Sequence, residues 1–283
     1  MTKYLENIFD ITNTYDLIIS DVFGVVHDGQ RLLKNADKFF KQEASKVALL
    51  TNDGRGIDDV AEHLKGYNFL KKEHYKDLFT SGFFLDEFYK LNSESNIKCF
   101  ILDDYLETSA NRKEAVLSVP SITFTSDIKE ANYCFASGVC KFDLDYIKNN
   151  QDLLSKLTIL KNNHCKLLCP NPDKFVVYDN RLIVLAGFIA EQYQKLGGEV
   201  ISFGKPNKYP YEFIINKYNP NKVLMIGDTL ETDIDGANQV GIDSLLIGTG
   251  VTKHYWQNNN HGGTFESWLA DSTIKPTWYI DEF

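Results

Sequence analysis

Four short segments carry side chains that could do chemistry together. The first, Asp21 to Gly29, reads DVFGVVHDG. Asp21 directly follows the apolar run Leu17–Ser20, and Gly24 and Gly29 permit tight turns after it. A carboxylate so placed can bind a hard cation or act as a nucleophile. The second, Leu49 to Arg55, offers the hydroxyl of Thr51 and the backbone N–H groups around Asn52, which suit an anion. The third is Phe203-Gly204-Lys205-Pro206-Asn207, where flanking Gly and Pro place Lys205 to offset a phosphoryl charge or pair with a carboxylate. The fourth, Val223 to Gly236, ends an apolar run with Asp228 and Asp233, two carboxylates of the kind Mg²⁺ takes alongside its waters. Alone, each has an ordinary alternative: a turn or helix-capping Asp, a capping Thr, a solvated Lys, an acidic first helical turn.

The elements that must position these segments are also legible. Leu17–Ser20, Val47–Leu50, Val200–Phe203, Val223–Ile226 and Ser244–Ile247 read as buried strands. Asp58–Tyr67, Phe188–Leu196, Tyr209–Tyr218 and Glu231–Val240 read as helices. Their alternation predicts an α/β fold with a Rossmann-like parallel sheet. In such sheets ligands sit outside the carboxyl ends of the strands, where all four segments fall. The middle of the chain has its own strand candidates, Lys98–Leu102, Tyr133–Ala136 and Lys166–Cys169. It also has a hairpin turning at Asp179-Asn180. This predicts a core domain of residues 1–80 and 187–283, with an α/β cap domain, 81–186, inserted into it.

Bulk properties narrow the function. The 283 residues are 43% hydrophobic and 24% charged, enough for a sizeable core. The net charge of -9 disfavours nucleic acid and anionic lipid as partners. No apolar run of membrane length exists, and the N-terminus MTKYLENIFD lacks a signal-peptide pattern. The five cysteines, all in the inserted region, read as free thiols in a cytoplasmic protein. No second cluster joins His164, Cys165 and Cys169 to complete a zinc site.

In order and spacing the four segments resemble the motif set of the haloacid dehalogenase (HAD) superfamily. Cys169-Pro170-Asn171-Pro172-Asp173, Ala186-Gly187-Phe188-Ile189-Ala190 and Gly204-Lys205-Pro206 resemble its class IIA branch, the sugar-phosphatase and nitrophenyl-phosphatase type. The resemblance implies an Mg²⁺-dependent phosphatase of a small phosphorylated metabolite, such as a sugar phosphate. In it Asp21 forms an aspartyl phosphate. Mg²⁺ lies between Asp21, Asp228 and the Phe23 backbone carbonyl, and Asp233 orients its surroundings. Thr51 and Asn52 hold the phosphate while Lys205 offsets its charge. Caps of this kind can pair, which would allow a homodimer through the cap.

One departure bears on the reaction. Where the superfamily's phosphatases carry a second Asp that moves protons to and from the leaving group and water, this chain has Phe23. Loss of a general acid/base typically costs on the order of 10²- to 10⁴-fold. Three readings follow. The enzyme is slow and favours good leaving groups; or His27 or Asp28 replaces the missing acid; or the chain is a binding protein that holds a phosphorylated ligand without turnover. The dehalogenase branch also lacks that Asp, but it does not depend on Mg²⁺, and here both Asp228 and Asp233 are present. The substrate-facing loops are expected near Asp103–Tyr105 and Asn171–Lys174.

Overall fold

The computed structural model describes residues 2–91, 97–102, 104–107, 122–258 and 264–283. Asp103, of the loop expected to face substrate, lies outside them. Seven strands form one wholly parallel sheet in the order Lys3–Tyr4, Trp278–Ile280, Asp243–Ile247, Val223–Gly227, Leu17–Ser20, Val47–Thr51, Asp77–Thr80. The three strands that end in Asp21, Thr51 and Asp228 are neighbours. Ser20 pairs with Ile226 on one side and with Leu49 on the other, so these segments emerge side by side.

Both faces of this sheet are buried, which is why its strands read as continuous apolar runs. Ile18, Leu49, Leu224 and Leu245 face one cluster with Phe39, Phe40 and Phe69. Leu17, Ile19, Leu50 and Met225 face the other, with Phe84 of helix Ser81–Leu91 and Tyr211 of helix Lys208–Tyr218. That second cluster also takes in Cys99, Phe135 and Leu168 from another sheet, so the two sheets share a core.

The second sheet is parallel as well, in the order Glu199–Ser202, Lys166–Cys169, Tyr133–Phe135, Ile97–Ile101, Ile122–Phe124. This corrects the expected limits of the insertion. The sequence reading ends it at 186 and gives Val200–Phe203 to the first sheet. In the structure Glu199–Ser202 pairs with Lys166–Cys169, and helix Ala186–Lys195 buries Phe188, Ile189 and Tyr193 among second-sheet residues. Strand, helix and parallel strand form one crossover unit, and such a helix packs back on the sheet it serves. The second sheet therefore runs on to Ser202. The hairpin forms between Phe175–Tyr178 and Arg181–Val184, with Asp179 and Asn180 both at positive φ (51° and 58°), as a two-residue turn of the mirror-image type requires. All five cysteines are buried free thiols. Among the described residues no helix is long and apolar enough to cross a membrane.

Candidate active site

Asp21 is fixed at its strand end by its backbone N–H, which donates to the Ile226 carbonyl at 2.9 Å. Lys205, only 2% exposed, reaches in from the second-sheet side. Its Nζ lies 2.5 Å from Asp21 Oδ1 and 2.8 Å from Asp233 Oδ1. The contact to Asp233 is an ion pair without hydrogen-bond geometry, which leaves Oδ1 of that buried carboxylate with no hydrogen-bond partner. Asp233 Oδ2 accepts from the Thr229 N–H at 3.1 Å. The residue lies in a single π-type turn, Leu230–Ile234, an irregularity that recurs at functional sites. Asp228 accepts from the Val251 N–H at 2.7 Å and the Thr229 hydroxyl at 3.1 Å.

The backbone closes tightly around Asp228. Gly24 (φ +84°) and Gly250 (φ +48°) both lie in the left-handed region, and a Cβ on either would meet Asp228 Oδ2 at 2.3 Å and 1.8 Å respectively. Only glycine leaves room for the carboxylate at these two turns.

Charge is unbalanced in this cluster. Burial alone would strip Lys205 of its proton, but Asp21, Asp233 and Asp173 outweigh that and hold the ammonium above the usual lysine value. Burial, with Asp21 and Asp233 nearby, pushes the Asp228 carboxyl well above the carboxylate range. Burial also pushes Asp233 up to about 7, against the pull of Lys205. One ammonium does not satisfy these acids. Oxygens of Asp21, Asp228 and Asp233 lie within 4.8 Å of one another. Buried hard-oxygen donors with surplus negative charge fit a small divalent cation such as Mg²⁺.

Asn52 is the organiser that its sequence position did not reveal. Its Oδ1 accepts from the Lys205 N–H at 2.7 Å. Its Nδ2 donates to the Lys205 carbonyl at 3.0 Å and to Asp173 Oδ1 at 2.7 Å. The side chain thus clamps the lysine loop to the Thr51 strand end. Thr51 is buried and its Oγ1 accepts from the Asp53 N–H at 3.3 Å. Asp53 in turn grips the Arg55 guanidinium at 2.6–3.0 Å. A cavity of about 370 Å³ opens beside this group, lined by Phe23, Thr51, Asn52, Arg55, His63 and Asp173, with other apolar neighbours.

The structure thus brings Asp21, Thr51, Asn52, Lys205, Asp228 and Asp233 together, with Phe23 on the cavity wall. Neither of the two substitutes considered for the missing acid is suited to the task. His27 Nδ1 accepts from the Gly29 N–H at 3.0 Å, and its ring stacks on Tyr67 at 4.7 Å and meets Phe23 edge-on at 5.1 Å. Burial, reinforced by His63, drives its pKa down to about 4, so at neutral pH the ring is a neutral imidazole and a poor acid. Asp28 commits Oδ1 to the N–H groups of Gln30 and Arg31 in a turn. From sequence Asp173 appears within the Cys169–Asp173 segment without a chemical role, and Thr229 not at all. Asp173 stood in the loop expected to face substrate, whereas nothing in a lone Thr marks a partner of two acids.

Comparison with known proteins shows the family and the fold. A family model for haloacid dehalogenase-like hydrolases matches residues 15–241, and a HAD-hydrolase-like model matches residues 202–283. A haloacid dehalogenase-like hydrolase structure from Brucella suis 1330 is 25% identical with a TM-score of 0.76, covering 98% of each chain. Glycerol phosphate phosphatase from Mycobacterium tuberculosis, solved in complex with magnesium, is 19% identical with a TM-score of 0.68 over 96% of this chain and 77% of that one. Human glycerol-3-phosphate phosphatase is 27% identical over 135 residues, 46% of this chain and 40% of that protein. The matches span less than half the length of the curated relatives.

Proposed function

The chain belongs to the haloacid dehalogenase-like hydrolase family, and we propose that it is an Mg²⁺-dependent phosphatase of a small phosphorylated metabolite, with Asp21 as nucleophile. The observation that carries this reading is the placement of the Lys205 ammonium 2.5 Å from Asp21 Oδ1 in a buried cluster with Asp228 and Asp233. A carboxylate cannot approach a phosphate dianion unless fixed positive charge offsets both, and buried fixed charge acts without solvent reorganisation. Lys205 supplies one such charge and orients the Asp21 carboxylate. Thr51 and the backbone at Asn52 line the space where the phosphoryl oxygens would lie. Mg²⁺, held by Asp21, Asp228 and the Phe23 carbonyl with Asp233 beside them, would supply the second positive charge. A small ester suits the 370 Å³ cavity. The human and mycobacterial relatives, a glycerol-3-phosphate phosphatase and a glycerol phosphate phosphatase, support a small polyol phosphate.

The test is phosphate release from a panel of aryl, polyol and sugar phosphates, with wild-type protein and Asp21→Asn, in Mg²⁺ and in EDTA. The expected result is turnover that disappears in the mutant and in EDTA. Tight binding of an aspartyl-phosphate mimic with no turnover on any ester would overturn the enzyme reading in favour of a phospho-ligand binding protein.

A further inference from the structure

The cavity beside Asp21 has to contain a proton donor if the leaving oxygen of an alkyl phosphate is to depart as an alcohol. Phe23 cannot serve. His27 is held neutral among aromatic rings, and burial likewise lowers the pKa of His63. Asp53 is locked on Arg55, and Glu107 lies at the exposed rim. There remains Asp173, which lines this cavity together with Thr51 and Asn52. It also lines a second cavity of about 290 Å³ with Thr229 and Val251, the partners of Asp228. Its carboxyl therefore stands between the phosphate-facing loop and the acidic cluster.

Resting on the phosphatase reading, we propose that Asp173 is the catalytic acid and base of this enzyme, reached from the second sheet. As a bond forms from Asp21 to phosphorus and the ester P–O bond breaks, Asp173 gives its proton to the departing oxygen and becomes a carboxylate. Water then attacks phosphorus and passes one proton to Asp173. The Asp21–phosphorus bond breaks, and phosphate leaves with both acids restored.

The surroundings of Asp173 match that duty. Burial lifts its carboxyl to about 6, Lys205 and the Asn52 N–H pull it down, and Asp21 and Asp53 push it up. Both protonation states are thus accessible near neutral pH, the condition under which one group serves as acid and then as base. The neighbouring Lys174 faces away, toward Glu191 at 3.2 Å. The Asn52 hydrogen bond fixes Oδ1 and leaves Oδ2 for the proton.

Asp173→Asn keeps the bond from Asn52 and removes only the proton. We expect it to slow glycerol 3-phosphate hydrolysis on the order of 10²- to 10⁴-fold, while 4-nitrophenyl phosphate, whose leaving group needs no proton, still gives a rapid burst of one nitrophenolate per enzyme before a slowed steady state in which water has lost its base. Asp173→Glu should recover part of the lost activity on glycerol phosphate. A nitrophenolate burst slowed as much as glycerol phosphate hydrolysis would show that Asp173 only positions Asn52, and no loss on either ester would show that it is idle. Each overturns the assignment while leaving the phosphatase reading intact. Absence of Asp21-dependent turnover in the wild-type protein would instead remove the hydrolytic reading itself, and this assignment with it.

Discussion

Asn52 Nδ2 donates to Asp173 Oδ1 at 2.7 Å, joining the strand end of the first sheet to the loop that leaves Lys166–Cys169 in the second. The same carboxamide satisfies both backbone groups of Lys205. One side chain therefore couples the relative placement of the two sheets to the position of the lysine. Asn52→Ala leaves a buried N–H and a buried carbonyl without partners, at about 1–3 kcal/mol each. Urea unfolding should show a lower midpoint, and Asp21-dependent turnover should fall as Lys205 loses its mooring. An unchanged midpoint would mean that water or a neighbour replaces the carboxamide.

Lys205→Met removes the cationic partner that Asp21 and Asp233 share among the described residues while keeping much of the stem's volume. Removing one member of a buried ion pair typically destabilises by about 3–5 kcal/mol, because the other charge stays behind. Turnover should drop on the order of 10²- to 10³-fold, the usual loss when a fixed electrostatic donor is deleted. Calorimetry and steady-state kinetics on the same preparation check both. A variant as active as the wild type would exclude Lys205 from the reaction.

Much of this site is legible in the sequence, because the strands that lead to Asp21, Thr51 and Asp228 are buried on both faces. A run such as Leu17–Ser20 admits one interpretation, and the polar residue that ends it then stands out. Thr51 and Asp228 stand out for the same reason, whereas Lys205, which follows the half-buried edge strand Glu199–Ser202, stands out through its flanking Gly and Pro. The limit of the second sheet was not legible, since Glu199–Ser202 and Val223–Gly227 present similar short apolar runs. Nothing local says which sheet each will join. That choice is made by helix Ala186–Lys195, whose buried face matches second-sheet side chains. The clamp by Asn52 was hidden too, because its partners lie 121 and 153 residues away along the chain.

The acidic cluster makes stability depend on pH in a direction set by Asp233. Its carboxyl is pushed up to about 7 in the folded protein, against about 3.9 in an unfolded chain. The native state therefore binds this proton more tightly. The stability it contributes is complete below about 3.9 and is lost as pH rises through about 7. In EDTA the melting temperature should fall between pH 5 and pH 8. Mg²⁺ competes with the proton, so its stabilising effect should grow over the same interval. Equal stabilisation by Mg²⁺ at both values would mean that the cation binds somewhere other than among these carboxylates.

Gly250→Ala separates metal binding from folding. The new Cβ would lie 1.8 Å from Asp228 Oδ2 and 2.9 Å from the Gly24 Cα, at a φ of +48° that disfavours a side chain. The hydrogen bond from Val251 to Asp228 is the contact most exposed to the resulting shift. Because the clash falls on one carboxylate at a strand end and not on either sheet core, the fold should survive with a loss of about 1–3 kcal/mol from backbone strain. Asp228 should be displaced from Asp21 and Asp233, which would abolish the Mg²⁺-dependent rise in melting temperature. Circular dichroism should still report a folded α/β protein. If Mg²⁺ stabilises the variant as strongly as the wild type, Asp228 is not one of the groups that hold the metal.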